Sequence, residues 1–156
     1  MFGLDNLDTL FVISAYLFQL ILIAHFALRK WHFDLAIRLG WIVYALSLPA
    51  TVISIYLLMG GKSWTLWISG SIYLIWAIYG FTVEYVRRIE WRNSVRWSIL
   101  GPYVILYLAT VMFYWWPLAL IYKPLWYGCA VLFVISTYLN ITSHQNSRLV
   151  KKENFA

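Results

Sequence analysis

Residues 64–96 read WTLWISGSIYLIWAIYGFTVEYVRRIEWRNSVR: an apolar run, Trp64–Tyr85, whose first charge is Glu84, followed closely by Arg87, Arg88, Arg92 and Arg96. A helix needs roughly 20 mainly apolar residues to cross a hydrocarbon core of about 30 Å, and this run is long enough. Runs of the same kind lie on both sides of it, at about Thr9–Leu28, Leu39–Met59, Ile99–Trp116 and Leu125–Ser143. A buried helix of a soluble protein is also apolar all round, but five in succession joined by short charged or Gly/Pro-marked gaps are not explained that way. With 63% hydrophobic residues, 12% charged residues and a mean hydropathy of +0.72, the 156-residue chain lies outside the composition of soluble domains. The expected fold is all-α and integral to the membrane: one domain over residues 1–156, a bundle of five transmembrane helices with a basic tail at 144–156.

Orientation follows from the basic residues beside the spans. Arg29, Lys30 and Arg38 flank the first gap, Arg87, Arg88, Arg92 and Arg96 the third, and Arg148, Lys151 and Lys152 lie in the tail, whereas the alternate gaps hold Lys62 and Lys123. The N-terminus is therefore predicted outside, with Asp5 and Asp8, and the C-terminus in the cytoplasm. The plasma (inner) membrane is the default location. The net charge of +6 is accounted for by this topology, so membrane lipid is the expected partner and nucleic acid is not. The first run lacks a basic leading region and a small-residue cleavage pattern, so it is expected to remain as a helix. Cys129 lies within the fifth run as a packing residue.

Aromatic side chains make up 20% of the chain. Trp64, Trp67, Tyr114, Trp115, Trp116, Tyr122, Trp126 and Tyr127 fall at the predicted outer boundary, and Trp31, Trp41, Tyr85, Trp91 and Trp97 at the inner one, where amphipathic rings favour the headgroup level. Tyr73, Trp76, Tyr79, Tyr103 and Tyr107 lie deeper and are candidates to line an apolar pocket. Pro49 and Gly101-Pro102 should loosen the second and fourth helices, with Ser47, Thr51 and Ser54 near enough to satisfy the carbonyl that Pro49 frees.

Polar residues inside the runs gather toward the predicted cytoplasmic ends: His25 on the first helix, Glu84 on the third, Asn140 and His144 on the fifth. Glu84 closes a face of Gly70, Tyr73, Ala77 and Gly80 at three- and four-residue spacing, a small-residue face that lets another helix approach. An acid near a membrane interior is costly and marks a functional candidate. Against that stands an ordinary ion pair with Arg87 or Arg88, three and four residues further on. Ser136 and Asn140 are expected to hydrogen-bond a neighbouring helix.

Three classes of function fit. The first is a non-catalytic bundle that binds a lipophilic molecule, or packs as a small subunit of a larger membrane complex, with Glu84, Arg87, Arg88, Tyr73, Trp76 and Asn140 as the candidate ligand-binding residues. The second is an enzyme acting on a lipid or isoprenoid at the cytoplasmic leaflet, with Glu84 as general acid or base and His25 or His144 as its partner. The third is a small transporter, for which no polar line through the bundle is visible. A haem held by His25 and His144 is disfavoured, because His144 falls at the edge of the apolar layer, and no Cys/His cluster has metal spacing. In size, helix number and tryptophan content the chain resembles the tryptophan-rich sensory/translocator proteins, but its first gap, Arg29-Lys30-Trp31-His32-Phe33-Asp34, lacks their Trp/Pro-rich loop, and no residue role is carried over.

Overall fold

The computed structural model describes residues 5–87, 89 and 96–153, with side chains as far as Ser143. Every regular element among these residues is helical. Five helices are long and apolar enough to cross a membrane: α1 (Asn6–Trp31), α2 (Phe33–Met59), α3 (Trp64–Val86), α4 (Trp97–Ile121) and α5, which runs Lys123–Glu153 and is apolar over Lys123–Ser143. They alternate in direction. One end of the bundle carries Lys62 and Lys123, and the other carries Glu84 with Arg29, Arg38, Arg87 and Arg96.

The joints follow local chemistry. Gly61 adopts a left-handed backbone, φ 68°, in the α2–α3 turn, where Lys62 N–H returns to the Leu57 carbonyl. The α1–α2 joint is shorter than the sequence suggests. Only His32 leaves helical geometry, so Arg29, Lys30 and Arg38 ride on helix ends. Within α2 the regular helix is interrupted at Leu46, three residues before Pro49, although Leu46 keeps an α-region backbone, and Ser47 donates to the Tyr44 carbonyl there at 2.7 Å. Thr51 donates to the Ser47 carbonyl at 2.7 Å, while Ser54 serves another helix, accepting from Gly70 N–H at 3.1 Å. Pro102 stays inside helical geometry in α4, where Tyr79 of α3 donates to the neighbouring Ile99 carbonyl at 3.1 Å.

Association of helices this apolar depends on close packing and interhelical hydrogen bonds. The small face read from α3 is buried: Gly70, Tyr73, Ala77 and Gly80 all lie inside. α3 packs on α2 along this face and on α4, while α1 packs on α5, where Tyr16 donates to the Leu125 carbonyl at 2.8 Å over the gap left by Gly128. At the centre, Phe18 of α1 meets Tyr73 at 4.9 Å and Tyr114 at 5.2 Å between ring centroids. Such ring pairs contribute about 0.5–1.5 kcal/mol each beyond their buried area.

Tyr114 departs from the boundary position expected of it. It is buried against Phe11 and Phe18, and Ser14 donates to its hydroxyl at 3.3 Å. Trp64, Trp116, Trp31, Trp41 and Trp97 are exposed near the helix ends. Trp91 lies outside the described residues. Ser136 is buried but donates to Phe133 of its own helix, so the expected contact to a neighbour is not made by its hydroxyl.

At the Lys62 end a charged clasp ties α1 to the α2–α3 turn. Lys62 Nζ lies 2.7 Å from both Asp5 and Asp8. The other oxygen of Asp5 caps α1, accepting from Leu7 and Asp8 N–H at 2.7 and 2.9 Å. The hydrogen bond from Lys62 holds the Asp5 carboxyl below its ordinary 3.8, and Asp5 and Asp8 together raise the Lys62 ammonium above its ordinary 10.5. A depressed carboxylate stabilises above its ordinary value and fails as pH falls through the lowered one. A raised ammonium stabilises below its ordinary value and fails as pH rises through the raised one. The clasp is therefore expected to be constant between pH 3.8 and 10.5. Amide exchange at the start of α1 and in residues 60–63 should be flat across that window once corrected for intrinsic rates, and Lys62→Met should raise it at both places. Exchange unchanged by that substitution would show that the clasp does not hold the two segments together.

Candidate functional site

Glu84 lies in a π-helical turn, Thr82–Val86, closed by Arg87 N–H to the Thr82 carbonyl at 2.8 Å. The wider turn inserts one residue and re-aims the side chains that follow, a distortion frequent at functional sites. Arg87 is exposed, and the ion pair with Glu84 expected of it is not formed; among the described residues, close ion pairs join Lys62 to Asp5 and Asp8. Arg88 lies outside the described residues.

What does reach Glu84 is Tyr44, buried on α2, whose hydroxyl donates to a carboxylate oxygen at 2.8 Å. Gly80 makes this possible. A Cβ there would sit 2.6 Å from Cε1 of the Tyr44 ring, so only glycine leaves room for the ring to lie on α3 one turn from the carboxylate. Tyr103 of α4 continues the chain, its hydroxyl 3.3 Å from that of Tyr44. Because Tyr44 gives its proton to Glu84, its oxygen is left to accept, which fits Tyr103 as the donor. Gly40 acts in the same way about a turn earlier on α2, its absent Cβ leaving room for the Tyr85 hydroxyl at 2.8 Å and for His25 at 3.6 Å.

These groups border a cavity of about 490 Å³ to which all five helices contribute. From α1 come Leu22, His25, Phe26 and Arg29; from α2, Gly40, Val43 and Tyr44; from α3, Trp76 and Glu84; from α4, Leu100, Tyr103, Val104, Tyr107 and Leu108; from α5, Phe133, Thr137 and Asn140. The lining is graded. Arg29, His25, Glu84 and Asn140, with Phe26 and Leu100 among them, lie toward the ends of the apolar stretches, while Leu22, Trp76, Tyr107 and Phe133 lie deeper. At 1.5 Å per residue, Glu84 and Trp76 are about 12 Å apart along α3.

Trp76 is the deep anchor. Its ring centre lies 5.6 Å from those of Tyr44, Tyr103 and Tyr107, and its indole Nε1 is buried with no acceptor among the described residues. A buried donor left without an acceptor costs about 1–3 kcal/mol.

Of the residues singled out in the sequence, Glu84, His25, Asn140 and Trp76 meet at this cavity, and so do Tyr103 and Tyr107. Tyr73 lies in the packed core, ringed by Phe18, Trp76 and Tyr114 and donating to the Val43 carbonyl. The side chain of His144 lies outside the described residues. Arg29, Tyr44 and Gly40 do not stand out as site residues in the sequence. Arg29 carries a signal, because it follows His25 by four residues and Leu22 by seven on one helix face. Tyr44 and Gly40 carry none, since their roles depend on how α2 packs against its neighbours. No protein-family model, curated protein or solved structure matches the chain.

Proposed function

We propose that this chain is a membrane protein that holds one amphiphilic molecule in the cavity bordered by Glu84, its polar end among Arg29, His25, Glu84 and Asn140 and its apolar end against Trp76, Tyr107 and Phe133. The observation that carries the reading is the grading of one cavity from charged to aromatic along the helix axes. The volume falls within the range of about 300–1,000 Å³ common for small-molecule sites. Retention of a half-buried carboxylate on the cavity wall fits a binding role, because helix packing alone is served better by apolar side chains. The segregation of Arg29, Arg38, Arg87 and Arg96 from Lys62 and Lys123 supports the N-terminus outside and the cavity at the cytoplasmic leaflet.

A second reading keeps the same cavity and makes it catalytic. Glu84 would act as acid or base on a lipid or isoprenoid, with Tyr44 and Tyr103 as its hydrogen-bonded relay and His25 on the same wall.

Glu84→Gln tests both. The amide keeps the shape and still accepts from Tyr44, so the fold is expected to survive while the charge is lost. Native mass spectrometry of protein extracted gently from its own membrane should show a bound small molecule on the parent chain and roughly tenfold less on the variant, the effect of losing one charge-assisted hydrogen bond. Equal retention by the two proteins would remove Glu84 from the binding role. Retention by the variant of a molecule that the parent releases chemically altered would favour the enzyme.

A further inference from the structure

We infer that the occupant of this cavity is a zwitterionic phospholipid, which enters sideways between α4 and α5 with its headgroup leading and its acyl chains left in the bilayer. This rests on the cavity being a site for an amphiphile, and it adds both the chemical class and the route.

The class follows from the wall. Arg29 on α1 and Glu84 on α3 place charges of both signs around one space, so a ligand of a single sign meets repulsion as well as attraction there. A phosphate joined to an ammonium meets both. The ammonium suits the side of Glu84, where Tyr44 and Tyr103 supply aromatic surface that favours a cation. The phosphate suits Arg29. The buried Nε1–H of Trp76, about two turns deeper, suits the carbonyl oxygen of an acyl ester, which lies below the headgroup in a phospholipid. The order of charged head and ester matches the order of the wall along the helix axes, and the chains leave through the side.

The route follows from packing. α4 and α5 are consecutive but share few contacts, and those gather near their connection, where Trp115 stacks on Trp126 at 5.1 Å and on Phe133 at 5.6 Å. Toward the Glu84 end the seam is loose. Val104 and Leu108 border the cavity and are still 38% and 46% exposed, so the cavity meets the bilayer there. A molecule with two acyl chains needs such a side opening, because its chains exceed the cavity.

The test uses the full chain, delipidated in a mild detergent and offered an equal mixture of phosphatidylethanolamine and phosphatidylglycerol with identical acyl chains, read by native mass spectrometry. One phosphatidylethanolamine is expected to be retained about tenfold over phosphatidylglycerol, the discrimination that one charge-assisted hydrogen bond supplies. Glu84→Gln should bring the ratio near unity, and Val104→Trp, which places a large ring in the seam, should lower retention of both lipids. Arg29→Met is a second variant, expected to weaken both lipids through their shared phosphate, and far-UV circular dichroism confirms that each variant is folded. Equal retention of the two lipids, or preference for phosphatidylglycerol, with Val104→Trp still lowering it, would overturn the zwitterion and leave the amphiphile site standing. Retention of neither lipid, unchanged in Val104→Trp, would overturn both.

Discussion

Gly70→Val is expected to cost about 3 kcal/mol of stability, at the upper end for an overpacked interior. A Cβ at Gly70 would fall 2.2 Å from Ser54 Oγ and 2.5 Å from the Ala50 carbonyl oxygen. The serine can rotate, but the carbonyl belongs to the backbone of α2, so α2 and α3 must move apart. That motion also strains the bonds from Tyr73 to the Val43 carbonyl and from Tyr44 to Glu84, which cross the same interface. Unfolding in mixed detergent micelles, followed by circular dichroism, measures the loss. Gly101→Ala is the control: beyond its chain neighbours its Cβ would meet nothing within 4 Å, so no contact between helices is strained and the loss is expected to stay below that of Gly70→Val. If the two variants behaved alike, the α2–α3 contact would not be the close approach described.

Gln19→Leu is expected to stabilise the protein by about 2 kcal/mol. Gln19 is fully buried in α1, and neither its Oε1 nor its Nε2 has a hydrogen-bond partner among the described residues. Leaving an amide unsatisfied costs about 1–3 kcal/mol, and leucine fills nearly the same space without that cost. The same unfolding measurement should show a higher midpoint for the variant. A lower midpoint would mean that the amide is engaged in the folded protein and that the polar group helps to hold α1 in place.

Much of this architecture is legible in residue order. The five apolar runs predict the five helices, and the spacing of Gly70, Tyr73, Ala77 and Gly80 identifies the buried face of α3 before any neighbour is known. Helix ends are less legible. α2 starts at Phe33 and α4 runs to Ile121, because hydropathy marks where lipid contact ends and says nothing of where hydrogen bonding ends. Tyr114 shows the same limit, since an aromatic near a boundary reads as interfacial although packing against Phe11 and Phe18 draws it inside.

The candidate site divides in the same manner. His25, Glu84 and Asn140 stand out singly as polar residues near the ends of apolar runs. Their meeting at one cavity depends on the pairing of α1 with α5 and of α3 with α2 and α4, which no single helix specifies. Tyr44 reaches Glu84 because α2 packs on α3 and because Gly80 leaves room for its ring.

By itself, residue order determined that this is a helical chain of five apolar segments with its charges sorted to the gaps, because transfer between water and lipid is a property of each segment alone. The cavity, its graded wall and the loose seam between α4 and α5 were decided by tertiary structure, because an empty volume is what remains after five helices have packed, and its lining depends on all of their positions at once.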